Sequence, residues 1–295
     1  MYRSVRKDLL TIPGSPLTLV VKHRDGNWLI DPGMGSDRAN IILGVLNKAQ
    51  INDYNIMVSH THYDHIEILP SFKDKRIYVN EFEYSQLINP EVREHATYGF
   101  NPLPRLLGLQ KYTISSKNLV TFSLSERTYL GPLRLLDLSG HSPGLTGIIF
   151  DDAVFVGDSL FGDMLLKRVG IPYHSDVFKS IKVLIEVLRN LSEDGFEAIL
   201  SHGPVVKNQR FRELVELNIE RIEQIIELLN NELRRGGTIE ELTIRVLRSL
   251  GVEVLASSVY LGSVTVASII NKLCEEGKVE HVVHDEGIKW RLIKH

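Results

Sequence analysis

Short apolar runs alternate with amphipathic stretches over most of the chain. Leu17-Thr18-Leu19-Val20-Val21 and Asn27-Trp28-Leu29-Ile30 flank Arg24-Asp25-Gly26. An Asp-Gly pair between two β-prone runs predicts a hairpin. Residues 38 to 49 carry apolar positions at helical spacing, and Ile56-Met57-Val58 is a short apolar run that predicts a buried strand. Ile77-Tyr78-Val79 predicts another strand and Glu81 to Ile88 a short helix. Further strands are expected at 119–124, 133–138, 147–150, 153–156 and 197–200. A helix over 176–190 gathers Val177, Ile181, Leu184, Ile185 and Leu188 on one face. Strands and helices mixed in this way predict an α/β sandwich, two sheets covered by helices.

The pattern changes after Pro204. Residues 208–235 read as one long helix with a stripe of Phe211, Leu214, Val215, Ile222, Ile225, Ile226, Leu229 and Leu233, stopped by Gly236-Gly237. Thr238 then caps a helix, with Glu241 as its capping-box partner. A second helix is expected from Val264 to Glu276, ended by Gly277. Residues 279–293 form two strands around Asp285-Glu286-Gly287. Helix, helix and hairpin resemble a winged helix. The expected division is therefore 1–207 and a small C-terminal module, 208–295.

Composition narrows the classes. At 295 residues the chain can hold one large and one small domain, and 43% hydrophobic with 24% charged residues is ordinary for a soluble globular protein. A formal charge of −3 gives no bulk attraction to nucleic acid or anionic membrane. No apolar run approaches the roughly 18 residues of a spanning helix. The N-terminus lacks a signal-peptide stretch, so a cytoplasmic protein is expected. Cys274 is the single cysteine, which excludes an intrachain disulfide.

The segment Ser59-His60-Thr61-His62-Tyr63-Asp64-His65 is where chemistry enters. Three imidazoles and one carboxylate fall within six positions, directly after the strand 56–58. Packing does not require such a density of donors, whereas a metal ion does. The pattern resembles the metallo-beta-lactamase superfamily, whose signature is His-x-His-x-Asp-His. Later segments match in register. They are Gly140-His141-Ser142-Pro143-Gly144, Gly157-Asp158-Ser159-Leu160-Phe161 and Ser201-His202-Gly203-Pro204, with Asp31-Pro32-Gly33 as an early turn. The likeness spans about residues 17 to 206 and is nearest to the glyoxalase II-like hydrolases.

That resemblance implies an αββα sandwich and two divalent metal ions, zinc first, with iron and manganese accepted by the same donors. It implies that His60, His62 and His141 hold one metal and that Asp64, His65 and His202 hold the other, with Asp158 bridging. A metal-bridging hydroxide would be the nucleophile, and Asp64 would orient it and carry a proton to the leaving group. Asp31 would buttress a ligand histidine, and Ser59 and Thr61 would position backbone. His62, where flavodiiron proteins have Glu, argues for hydrolysis. Two departures stand out. Glu67 replaces a usual glycine, where it would alter the loop or repel an anionic substrate, and Ser201 precedes His202 in place of glycine. The Lys- and Arg-rich glutathione-binding pattern is missing, which disfavours glutathione thioesters.

Residues 91–116, with His95, Tyr98, Phe100, Asn101, Pro102, Pro104 and Arg105, read equally as a lid or a plain surface excursion. His174 reads as a solvated loop histidine in preference to a proton donor. His23, His281, His284 and His295 receive no chemistry. Cys274, Trp28 and Trp290 read as packing residues.

The leading expectation is a dinuclear metal hydrolase cleaving a small ester, thioester or lactone. One alternative is a metallo-phosphodiesterase or endoribonuclease whose C-terminal module grips nucleic acid. Residues 208–295 hold 12 basic and 14 acidic residues, a net of −2 that disfavours phosphate contacts. A dimer contact or a wall of the cleft fits that module better. A second alternative is a mononuclear iron persulfide dioxygenase, using only His60, His62, His141 or Asp158. The partners expected are a small-molecule substrate and a second copy of the chain, with no membrane.

Overall fold

The computed structural model describes residues 2–72, 74–99, 114, 116–285 and 287–293. A seven-stranded sheet runs in chain order through β1 (Arg3–Arg6), β2 (Leu9–Ile12), β3 (Thr18–Val21), β4 (Trp28–Ile30), β5 (Asn55–Val58), β6 (Ile77–Asn80) and β7 (Leu119–Phe122). It is antiparallel from β1 to β4 and parallel from β4 to β7. A six-stranded sheet has the order β13 (Val205–Lys207), β12 (Glu197–Leu200), β11 (Ala153–Gly157), β10 (Thr146–Phe150), β9 (Leu133–Asp137) and β8 (Tyr129–Leu130). Only β11 and β12 pair in parallel there.

The period-two alternation of strand side chains explains why these runs are apolar throughout. From the first sheet, Leu19, Val21, Trp28, Ile30 and Met57 face Leu135, Ile148, Phe155 and Ile199 of the second, in one cluster between the sheets. The intervening residues Val20, Leu29, Ile56 and Val58 point the other way and pack with Ile42, Val45 and Leu46 of helix Arg38–Lys48. Val154, Val156, Ala198 and Leu200 of β11 and β12 likewise turn outward onto helices. The result is the expected αββα order, helix layer, sheet, sheet, helix layer. The hairpin foreseen at Asp25-Gly26 joins β3 to β4, with Val21 opposite Trp28.

The C-terminal helices build the outer layer of the second sheet. Helix Asn208–Leu233 buries Phe211, Leu214, Val215, Ile219, Ile222, Ile225, Leu229 and Leu233 in one cluster with Val154, Val156 and Leu200. Helix Ile239–Ser249 begins at the Thr238 capping box, with Thr238 N donating to Glu241 Oε2 at 2.9 Å. Helix Ala256–Glu275 starts eight residues before the expected Val264. Its first turn, Ala256-Ser257-Ser258, is small and polar, and Ser258 Oγ accepts from Leu255 N at 2.8 Å, so no apolar residue marks the beginning. Strands β14 (Val279–His284) and β15 (Gly287–Leu292) close the chain as a hairpin. Trp290 N donates to Gly237 O at 2.8 Å, which fastens the hairpin to the turn after the long helix. Trp28 is buried, whereas Cys274 is only partly buried at the margin of this layer.

Elsewhere the structure adds elements with weak sequence signals. β1, β2, β13 and helices Pro90–Tyr98 and Asp163–Val169 are short, and their pairing is tertiary. The helix expected at 176–190 contains a π-helical stretch, Leu184–Leu188. Among the described residues no helix is long and apolar enough to cross a membrane.

Because Phe211 is fully buried in the layer shared with β11 and β12, Phe211→Ala should cost about 3–5 kcal/mol of stability. Val283→Thr, at a hairpin position 75% exposed, should stay within about 0.5 kcal/mol. Urea unfolding of both variants checks the contrast.

Candidate metal centre

The ends of five strands converge on one edge of the sandwich. Asp31 follows β4, the segment 59–65 follows β5, His141 follows β9, Asp158 follows β11 and His202 follows β12. A helical turn at Tyr63–Ile66 swings Asp64 and His65 back toward His60. Two glycines permit the close approach. Gly157 has φ +54, a left-handed conformation that lets the chain turn just before Asp158. Gly140, at φ +139, lies so near helix Val177–Val183 that a Cβ there would stand 2.6 Å from Ser180 N.

All seven side chains singled out from the sequence come together. His60, His62 and His141 form one set whose ligand atoms lie within 4.8 Å of one another, and Asp64, His65 and His202 form a second. Asp158 stands between them. Its Oδ2 is 3.5 Å from His141 Nε2 and 3.4 Å from His202 Nε2, and its Oδ1 is 3.5 Å from His65 Nε2. His60, His65, His141 and Asp158 are buried, while His62, Asp64 and His202 are half-buried and mark the open side.

The outward-facing nitrogens reveal which atoms point inward. Ser59 Oγ donates to Asp31 Oδ2 at 2.5 Å, so it is free to accept from His60 Nδ1, 3.1 Å away. That leaves His60 Nε2 with a bare lone pair. His65 Nδ1 donates to Asp31 Oδ2 and His141 Nδ1 to Tyr173 O, each at 2.8 Å. Ser15 Oγ lies 2.8 Å from His202 Nδ1. His60 and His141 are held well below the ordinary histidine pKa, first by burial and then by neighbouring histidines, so they stay neutral. His141 Nε2 and His62 Nδ1 stand 2.8 Å apart.

Whether this donor set suits metal ions is tested by its unmet atoms. His60 Nε2, His65 Nε2 and Asp158 Oδ1 are buried without a hydrogen-bond partner. One such atom costs about 1–3 kcal/mol, and three converging on one point suit cations. The electrostatics agree. Burial would depress His202, but the Asp158 charge, with hydrogen bonds to Asp158 and Asp64, lifts it to about 10. Burial would raise the Asp158 carboxyl, yet His202 and His65 outweigh it and hold Asp158 well below the carboxylate range. The pocket favours positive charge at its centre, and imidazole with carboxylate is the donor chemistry of zinc, iron and manganese sites.

Glu83 is a member of this site that sequence reasoning missed. It is fully buried at the start of helix Glu81–Ile88 and accepts four hydrogen bonds. Thr61 donates from N at 3.0 Å and Oγ1 at 2.5 Å, and Ser142 Oγ and Gly144 N donate at 2.7 and 2.9 Å. One carboxylate thereby joins the 59–65 loop of the first sheet to the 139–145 loop of the second. An acidic first turn is ordinary for any helix, so nothing in the sequence marks Glu83. Tyr173 and Ser15 were also invisible, because they act through a carbonyl and a loop hydroxyl.

One expectation needs correction, and another is narrowed. His174 is buried, with Nδ1 2.9 Å from Ser180 Oγ, and burial pushes it down to about 4. The C-terminal helix covers its loop, which local sequence does not reveal. For Glu67 the contacts fit the first of the two expected roles, in the loop. Its Oε2 accepts from Gly35 N at 2.8 Å and its Oε1 from Tyr63 Oη at 3.0 Å, so it braces the loop. Of the stretch 91–116, residues up to Tyr98 belong to a helix, and Phe100, Asn101, Pro102, Pro104 and Arg105 lie outside the described residues, as do Glu286 and His295.

With this geometry in hand, comparison with known proteins is decisive for the class. The profile of the metallo-beta-lactamase superfamily matches residues 11–193, and the chain belongs to that superfamily. It is a metal-dependent hydrolase of that class. Among curated relatives, the hydroxyacylglutathione hydrolase of Shewanella sp. (strain ANA-3) is 23% identical over 250 residues, covering 84% of this chain and 82% of that protein. Hydroxyacylglutathione hydrolase 1 of Vibrio vulnificus (strain YJ016) is 26% identical, covering 69% and 68%. A beta-lactamase domain protein from Burkholderia ambifaria has the same fold, with TM-score 0.72 and 14% identity over 99% of this chain and 93% of that one. A metallo-beta-lactamase family protein from Thermus thermophilus gives TM-score 0.69 and 16% identity over 97% and 98%. The likeness in fold to both extends through the C-terminal helices and hairpin.

Replacing Glu83 by Gln keeps the size but turns an amide N–H₂ toward donors. Glu83→Gln should lower stability by about 1–3 kcal/mol in chemical denaturation. Asp31→Ala should weaken metal binding about 10–100-fold in a chelator competition, because it removes the partner of His65.

Proposed function

We propose that this chain is a dinuclear zinc hydrolase acting on a small ester, thioester or lactone. The observation that carries this reading is Asp158 placed between two complete donor sets. On this reading His60, His62 and His141 hold one ion and Asp64, His65 and His202 the other, with Asp158 shared. Two dications held close together need an anion between them, which Asp158 supplies. When bound, such ions supply Lewis acidity and a water that ionises near neutral pH.

The chain's own groups divide the remaining work. Asp64 is half-buried at the open side, 3.1 Å from His202 Nε2. It orients the attacking water and carries its proton to the leaving group. Tyr173 lies edge-on to the rings of His62 and His141, and Phe161 to His141, so an apolar wall excludes bulk water from the reacting centre. The relatives named hydroxyacylglutathione hydrolases support a thioester within the substrate class. The acidic balance of residues 208–295 supports a small molecule over nucleic acid.

The zinc-loaded protein should carry two equivalents by elemental analysis and hydrolyse members of a panel of S-acyl thioesters, lactones and aryl esters. Asp158→Ala should lose most of that activity and one equivalent of metal. Turnover of a phosphodiester with none of the acyl substrates, or a single equivalent unaffected by Asp64→Ala and His202→Ala, would sink the reading.

A further inference from the structure

Helix Ala256–Glu275 lies in the outer layer, yet one of its side chains reaches the metal centre through a single intermediate. Thr265 is fully buried. Its Oγ1 donates to Pro172 O at 2.8 Å and accepts from His174 N at 2.9 Å. These two bonds grip the chain on either side of Tyr173. With both flanking peptides fixed, the direction of the Tyr173 carbonyl is fixed as well. That carbonyl accepts from His141 Nδ1 at 2.8 Å, so it determines both the tautomer and the tilt of the ring whose Nε2 faces the centre.

Neighbouring bonds show that this segment is built to be held. Ser175 N donates to His141 O at 3.2 Å and Asp176 N to Gly140 O at 2.9 Å, which lays 173–176 along the His141 loop. Ser268, one turn along from Thr265, accepts from Val177 N at 3.0 Å. Gly262, one turn before Thr265, is buried between Thr243 and Ile171, where a Cβ would meet their side chains at 3.2 and 3.4 Å.

We propose that Thr265 is a positioning residue for the first metal set, acting through the Tyr173 carbonyl on His141. The C-terminal helix is thereby part of the metal centre as well as part of the core. This inference rests on the two-metal reading above. It makes the two sets unequal, because Asp64, His65 and His202 have no connection to Thr265 through these bonds.

The test compares full-length wild type, Thr265→Val, Thr265→Ser and Ser268→Ala, all loaded with zinc or cobalt(II). Thr265→Val keeps the shape and removes both hydrogen bonds. It should weaken one of two metal equivalents about tenfold in chelator competition, at the low end for an outer partner of a ligand. It should also shift the visible absorption bands of the cobalt(II) protein, and Thr265→Ser should restore both readouts. Ser268→Ala should leave them unchanged, because its bond lies beyond the residues flanking Tyr173. If Thr265→Val does not fold, Thr265→Ala removes the same hydroxyl without adding a buried methyl and is read in its place. Wild-type affinities and an unchanged cobalt spectrum in the hydroxyl-free variant, with only a lower melting temperature, would reduce Thr265 to a structural residue. Equal weakening of both equivalents would overturn the selective link to His141. Fewer than two equivalents in wild type would instead sink the two-metal reading, and this inference with it.

Discussion

Asp31 makes the contacts on which both halves of the centre depend. Its carboxylate is fully buried at the end of β4 and accepts from Ser59 N at 2.8 Å, Ser59 Oγ at 2.5 Å and His65 Nδ1 at 2.8 Å. Through His65 it orients one donor set. Through Ser59, whose hydroxyl it fixes, it orients His60 in the other. The backbone bends to allow this. Asp31 has φ +47, a left-handed conformation that aspartate tolerates better than most residues. Its own carbonyl accepts from Thr18 Oγ1 at 2.8 Å, and the next carbonyl, Pro32 O, accepts from the buried Arg38. Arg38 Nη2 also donates to Ile12 O at 3.0 Å and Thr18 Oγ1 at 2.7 Å. An ordinary helix–sheet contact thus steadies the strained turn that carries the carboxylate.

Glu83 performs the matching task across the sandwich. Asp31 and Ser59 both belong to strand ends of the first sheet, so Asp31 alone sets nothing relative to His141. Glu83 closes that gap by collecting donors from the loops after β5 and after β9. Both carboxylates are buried, and both are met by donors, so neither is left without partners. The donor sets are therefore fixed to each other by these hydrogen bonds and do not rely on the loops' own stiffness.

Much of this fold was legible because its strands are buried on both faces. Runs such as Ile56-Met57-Val58 and Val154-Phe155-Val156 have no polar alternation, and their brevity with turn residues on either side identified them as strands. The long helix 208–233 was readable from its stripe for the same reason. The unread elements are those whose partner decides their form. β1, β2 and β13 are three or four residues long, and the first turn of helix Ala256–Glu275 is Ala-Ser-Ser. At the site, His60, His62, Asp64 and His65 stand in one dense local motif, whereas His141, Asp158 and His202 stand alone and were found through the family resemblance of their flanking segments. Glu83, Tyr173, Ser15 and Thr265 act from behind, by a carboxylate, a carbonyl and two hydroxyls. Every protein surface offers such groups, and only the tertiary structure selects them. His174 was misread on the same account, since the helix that buries it comes about 90 residues later.

What stands behind each ring also grades the rings. His65 is backed by a carboxylate, His141 by a carbonyl, and His60 and His202 by hydroxyls. A carboxylate partner raises the basicity of an imidazole more than a hydroxyl does. His65 further shares its set with Asp64, whereas His60, His62 and His141 are three neutral rings. On the proposed assignment, the two sets therefore differ in charge by one carboxylate, Asp158 being common to both. Oxygen-rich, anionic sets favour harder cations than all-imidazole sets do. The asymmetry also runs along the line from interior to solvent. Asp64, the extra carboxylate, is half-buried on the open side together with His62 and His202. On the proposed assignment that carboxylate offsets part of the ions' positive charge at the side from which a substrate would approach.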